Sequence, residues 1–235
     1  MNTIVRDSYN AIPLHTLPES TRNQIRKIVH DVQNADKIDE HGGWEFGIQK
    51  LTRRRSRALN WDLYGFGRDP HTGQFLIVIQ VREWTEGRRW NTVRKSYFLL
   101  GYNEDGTAFA HPVSANVVHA AIRRNDAPQA VIDAVQSWIF GGDYGRMIRQ
   151  GDVALVPLKR RPVGTKGQRR RLAILEGSHE LRANIIAEVD GKLYAKDPTM
   201  IHIPGTHSTV EGQGWYRIVV GRRARFWDFA TPTID

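Results

Sequence analysis

Three histidines and one run of cations are the residues of this chain best suited to chemistry. His179 lies in EGSHEL beside Glu176 and Glu180, and His202 and His207 stand five residues apart in MIHIPGTHSTV, with Pro204-Gly205 turning the chain between them. Imidazole nitrogen is a good ligand for Zn²⁺, Mn²⁺ or Fe²⁺, and three histidines with a carboxylate leave one coordination position open. Without a metal, two imidazoles that titrate near neutral pH, helped by Lys192 or Tyr194, suit acid–base work on RNA. Neither HExxH nor HxH, spacings that fix two ligands on one element, occurs in the sequence. Turn and surface histidines held by hydrogen bonds are therefore the competing expectation. The other histidines, His119 and His111 among them, stand in turns, at strand ends or on helix faces with no ligand spacing.

The cations are more concentrated than the histidines. Seven of the thirteen residues from Lys159 to Arg171 are basic: Lys159, Arg160, Arg161, Lys166, Arg169, Arg170 and Arg171. Pro162, Gly164 and Gly167 interrupt them, so the tract reads as a flexible cationic loop between two strands, able to order on a phosphate backbone. Arg53, Arg54, Arg55 and Arg57 form a second cluster. Arg88 and Arg89 sit by Trp84 and Trp90, and Arg222, Arg223 and Arg225 by Phe226 and Trp227. Arginine beside an aromatic ring is a combination that holds a nucleic-acid backbone while stacking a base. A solvated charge run is the plainer reading of the same residues.

Composition points the same way. The 235 residues carry 34 Lys and Arg against 25 Asp and Glu, a formal net charge of +9. A surplus of that kind attracts phosphate polyanions across a Debye length of about 8 Å. There is no cysteine, which excludes disulfides, thiolate metal sites and a cysteine nucleophile. No apolar run approaches the roughly 18 residues of a membrane span, and the first residues lack a signal-peptide pattern. A cytoplasmic protein with no membrane partner is the expectation. P-loop, dinucleotide-binding and G-x-S-x-G motifs are all missing.

The elements that must position these residues follow from periodicity. Thr16-Leu17-Pro18-Glu19 has the form of a capping box, and Ile25, Ile28, Val29 and Val32 mark the apolar face of the helix after it. Trp44, Phe46 and Ile48 alternate as in a half-buried strand. Strands are predicted through Trp61–Tyr64, 75–84, SYFLLGYN and AFAHPV, a meander of four or five. Two helices come next, capped by Ser114 and Asp126, the second ending at Gly141-Gly142 with Trp138 in the core. GGDYGRMIRQG reads as a hinge. Short strands then resume, with Asp190-Gly191 as a hairpin turn. The fold class is α+β. An antiparallel meander with helices fills 1–145, and a small β-rich, barrel-like unit fills 146–235, with the basic loop at 159–171.

The order R-Q-G-D-V-x-L-V-P, G-x-H, a strand pair, a His-and-His turn and W-Y-R-I-V resembles that of uncharacterised bacterial and phage proteins with a histidine-containing C-terminal β domain. The resemblance covers about residues 95–229, implies no known activity, and singles out His179, His202 and His207; the basic tract departs from its pattern. P-G-x-H at 204–207 is also similar to a cupin's second motif, but the upstream cupin residues are missing. Three functions remain in contention. The first is nucleic-acid binding, RNA before DNA, through the tract and Arg53–Arg57. The second is a hydrolase or nuclease built on the three histidines. The third is an interaction module of a phage or defence assembly whose basic loop meets an acidic partner.

Overall fold

Helix α1 (Glu19–Asn34) turns Ile25, Ile28, Val29 and Val32 onto one side, and all four are buried. The computed structural model describes residues 11–34, 59–69, 72–86, 91–103, 106–142, 147–203 and 209–222. Thr16 does not cap α1. Its hydroxyl donates to Pro13 O at 2.7 Å inside a 3-10 turn, Leu14–Thr16, and the helix starts at Glu19. Proline at position 18 fixes φ and offers no N–H, so the chain turns before the helix rather than at Thr16.

The apolar side of α1 covers an antiparallel sheet of β1 (Leu59–Arg68), β2 (Phe75–Glu86), β3 (Asn91–Tyr102) and β4 (Ala108–Val113), paired in that order. The alternation of strand side chains gives each face its own core. Leu63, Ile77, Ile79, Val81, Phe98 and Leu100 meet α1. Tyr64, Leu76, Val78, Tyr97 and Leu99 point the other way, toward helices α2 (Ala115–Arg124) and α3 (Pro128–Phe140). Gly65 sits where β1 bulges beneath α3. A Cβ there would lie 2.7 Å from Val131 Cβ and 3.1 Å from Pro128 O, so only glycine admits the helix this closely.

The helix ends differ in part from expectation. Ser114 occupies the N-cap of α2 but makes no side-chain cap bond. Ala127, not Asp126, precedes α3; Asn125 Oδ1 accepts its N–H at 3.0 Å, and Pro128 opens the helix. Gly141 (φ 73°) closes α3, with the Gly142 N–H on Ser137 O at 2.8 Å. Trp138 is half-buried at the margin of the core. The Trp44–Ile48 strand and residues 143–146 of the hinge lie outside the described residues, and Ile148–Gln150 at the far end of the hinge is a strand.

Eight strands follow: β5 (Ile148–Gln150), β6 (Val153–Leu158), β7 (Arg170–Leu175), β8 (His179–Val189), β9 (Lys192–Lys196), β10 (Thr199–His202), β11 (Val210–Glu211) and β12 (Trp215–Val220). They form a nearly closed antiparallel sheet in the order β11-β10-β8-β9-β12-β6-β5, with β7 on the other edge of β8. Asp190 (φ 50°) and Gly191 (φ 67°) make the two-residue turn between β8 and β9. One register then runs from Val189↔Lys192 to His179↔His202, so β9 and β10 act as a single strand against β8.

β6 joins the two sheets through its side chains. Val153 and Leu155 enter the barrel core with Ala173, Leu181, Ile186 and Met200. Ala154 and Val156 enter the cluster of α2, α3 and the four-stranded sheet. A buried polar bridge accompanies that apolar seam. Asp69, at the end of β1, accepts from Gln136 Nε2 at 2.8 Å, and Arg149 Nη1 of β5 lies 3.3 Å from the same carboxylate oxygen. The Arg149 guanidinium also lies over the Phe140 ring at 5.1 Å, and its Nε donates to Gly151 O at 2.7 Å. A charge this deeply buried is tolerable only with such a full set of acceptors.

Candidate nucleic-acid interface and histidine pair

The basic tract leaves the barrel at the end of β6 and returns in β7, whose first residues are Arg170 and Arg171. All seven of its cations are exposed, and none meets a carboxylate among the described residues. The loop is not the loose segment its glycines suggest. Thr165 is fully buried and donates to Pro162 O at 2.9 Å. Arg161 donates through Nε to Thr165 Oγ1 and through Nη2 to Thr165 O, both at 2.9 Å. Gln168 exchanges two bonds with the Glu188 backbone on β8, at 3.1 and 2.9 Å. Gly164 (φ 83°) and Gly167 (φ 88°) supply left-handed corners. Arg161 further lies 5.5 Å over the Trp215 ring, an arginine–aromatic pairing within the described residues. The cations thus stand on a hydrogen-bonded frame.

Arg53, Arg54, Arg55 and Arg57 lie outside the described residues, as do Arg88, Arg89, Arg223 and Arg225. The histidines divide in the same way. His179 and His202 face each other across β8 and β10, ring centroids 4.8 Å apart at 55°, in the row that includes Leu175. That row lies next to Ala173, Leu181 and Met200 of the barrel core, with the same parity, so the imidazoles belong to the barrel's inner side near one end. His179 is buried, with Ser178 Oγ 3.1 Å from its Nδ1. His207 lies outside the described residues. Among the described residues no group of three or more histidine, aspartate or glutamate side chains is placed to hold a metal ion. Within the described residues the ring of His179 stands beside that of His202, from a strand the sequence treats separately.

A second polar cluster escaped the sequence reading. On the α2 side of the four-stranded sheet, Gln80 Nε2 donates to the Tyr97 hydroxyl, which stands 2.9 Å from His119 Nε2. Tyr64 packs edge-on against both rings. Burial, then the positive charges of Arg123 and Lys95, hold the His119 imidazole below its ordinary pKa. Burial raises the Tyr97 phenol. The sequence signal was Gln80 itself, one amide inside the apolar run FLIVIQV.

No family model, curated protein or solved structure matches the chain. Among the described residues no helix is long and apolar enough to cross a membrane.

Proposed function

We propose that this protein binds nucleic acid, RNA in preference to duplex DNA, through the β6–β7 loop and the start of β7. The observation that carries the reading is that Lys159, Arg160, Arg161, Lys166, Arg169, Arg170 and Arg171 are all exposed and none is neutralised by a described carboxylate. Cations that only kept the protein wet would be expected to spread over the surface and pair with acids. Here they project from one loop that Gln168 and Thr165 hold in place, which reduces the ordering cost of binding. A loop of this kind offers no helix or ribbon to a major groove, so it grips phosphates without reading bases. Single strands, whose backbone follows a loop, suit it better.

The test is binding of labelled single-stranded RNA and duplex DNA across a salt series. Affinity should fall linearly with log salt. Replacing Lys159, Arg160 and Lys166 together by alanine should reduce the RNA slope by about 2, at roughly 0.7 per phosphate contact. Affinity that ignores salt, or a slope unchanged in the triple variant, would end the reading.

A hydrolase or nuclease is the second reading, favoured by the His179–His202 pair at 4.8 Å. Two imidazoles at that separation suit one acid and one base. Incubating labelled RNA with the protein, with and without EDTA, checks it, together with metal content before and after His207→Ala. Turnover that survives EDTA and is lost in His202→Ala would mark acid–base chemistry.

A further inference from the structure

We propose that Arg161 and Trp215 form a platform for one unpaired base, which stacks on the Arg161 guanidinium where that group lies over the Trp215 ring at 5.5 Å. The inference rests on the nucleic-acid reading and deepens it. That reading needs only phosphates; this one adds a contact to a base, and so requires the strand to be single.

The sheet puts the ring in place. Tyr216 and Ile218 of β12 enter the barrel core, so their neighbour Trp215 stands on the outer face. Trp215 pairs with Leu158, the last residue of β6, and the basic tract begins at Lys159 directly after it. Arg161 then returns over the ring. Its side edge is already used, with Nε on Thr165 Oγ1 and Nη2 on Thr165 O, both at 2.9 Å. Thr165 is itself fully buried, so the guanidinium plane is held at its edge as well as by the ring beneath it. Arg161 is nonetheless exposed, and among the described residues nothing bonds its Nη1. What is left to a ligand is the face away from Trp215 and the Nη1 end.

Those two suit different parts of one nucleotide. A guanidinium takes a base on its face and a phosphate at its end, whereas an ammonium can do only the second. Stacking of this kind tolerates any sequence, because every base has a π face. Lys159 and Arg160, exposed just before the platform, are placed for the flanking phosphates. Because the plane is already fixed, little order is lost when the base arrives.

The test compares a labelled single-stranded RNA with the same strand carrying abasic residues, which keeps every phosphate. Both are titrated across a salt series. The two should share one salt slope, and the abasic strand should bind about tenfold more weakly, the scale of one base stack. Trp215→Ala should bring the ratio of the two affinities to about one with the slope kept. Arg161→Lys, which retains the charge and loses the plane, should do the same, and it decides alone if Trp215→Ala does not fold. Trp215→Phe should keep most of the ratio. Equal affinity for the two strands, with binding that still falls with salt, overturns the platform and leaves the phosphate reading standing. So does a ratio that Arg161→Lys leaves unchanged, or a variant that loses both strands equally. Binding that ignores salt ends both.

Discussion

Arg149 shows how much one side chain can hold. It satisfies Asp69 and Gly151 O, and stacks on Phe140, at the seam between the two sheets. Arg149→Met would strand the Asp69 carboxylate in a buried site, and chemical denaturation should register a loss of about 3–5 kcal/mol. His119 acts through pH. Its folded-state pKa lies below the ordinary 6.5, so just below pH 6.5 the unfolded chain binds the extra proton first. Its contribution is whole above pH 6.5 and is lost as pH falls through the folded value. Urea midpoints between pH 7.5 and about 5 should fall more for the wild type than for His119→Gln. On the exposed face of α1, hydrogen bonds from Lys27 and then Tyr102 hold the Asp31 carboxyl down at about 2. That contribution is whole above the ordinary carboxylate value and goes only as pH falls through about 2. The residues that carry these effects were only partly legible. Gln80 and Gln136 are amides inside apolar runs that the sequence reading passed over, and nothing local names Tyr97, His119, Asp69 or Arg149 as their partners. Such contacts are fixed by packing between distant segments.

Elements were more legible than contacts. β2, β3, α3 and the Asp190-Gly191 turn follow from β-branched runs, helical spacing and left-handed residues, which are local properties. The failures were at helix starts, where Thr16 and Asp126 fit a capping pattern but Pro18 and Pro128 set the boundary. The loop after β6 misled for a related reason. Glycine and proline describe its corners, while its order comes from Gln168 reaching the Glu188 backbone. Gln168→Ala should release it: exchange at the Glu188 amide should rise, and stability should fall by about 1 kcal/mol. Under α3, Gly65→Ala should cost about 1–3 kcal/mol by thermal melt, since Val131 and the Pro128 carbonyl leave no room for a methyl group.

At the scale of the whole chain, the α+β class and the return to short strands were readable from the pattern of elements, whereas the packing of one sheet on the other was not. One apolar cluster takes in α2, α3, the four-stranded sheet, β6 and β12. Calorimetry should therefore show one transition rather than two, and residues 147–222 made alone should aggregate, with Ala154, Val156 and Val219 laid open. Arg149→Met is the variant expected to broaden that transition.

β6 is a party wall, with Val153 and Leu155 furnishing one room and Ala154 and Val156 the next. Its length is in effect quantised. Removing a single amino acid upstream of it would rotate every tenant into the wrong room, while removing two would leave each on its own side. Tolerated length changes near this strand should come in even numbers.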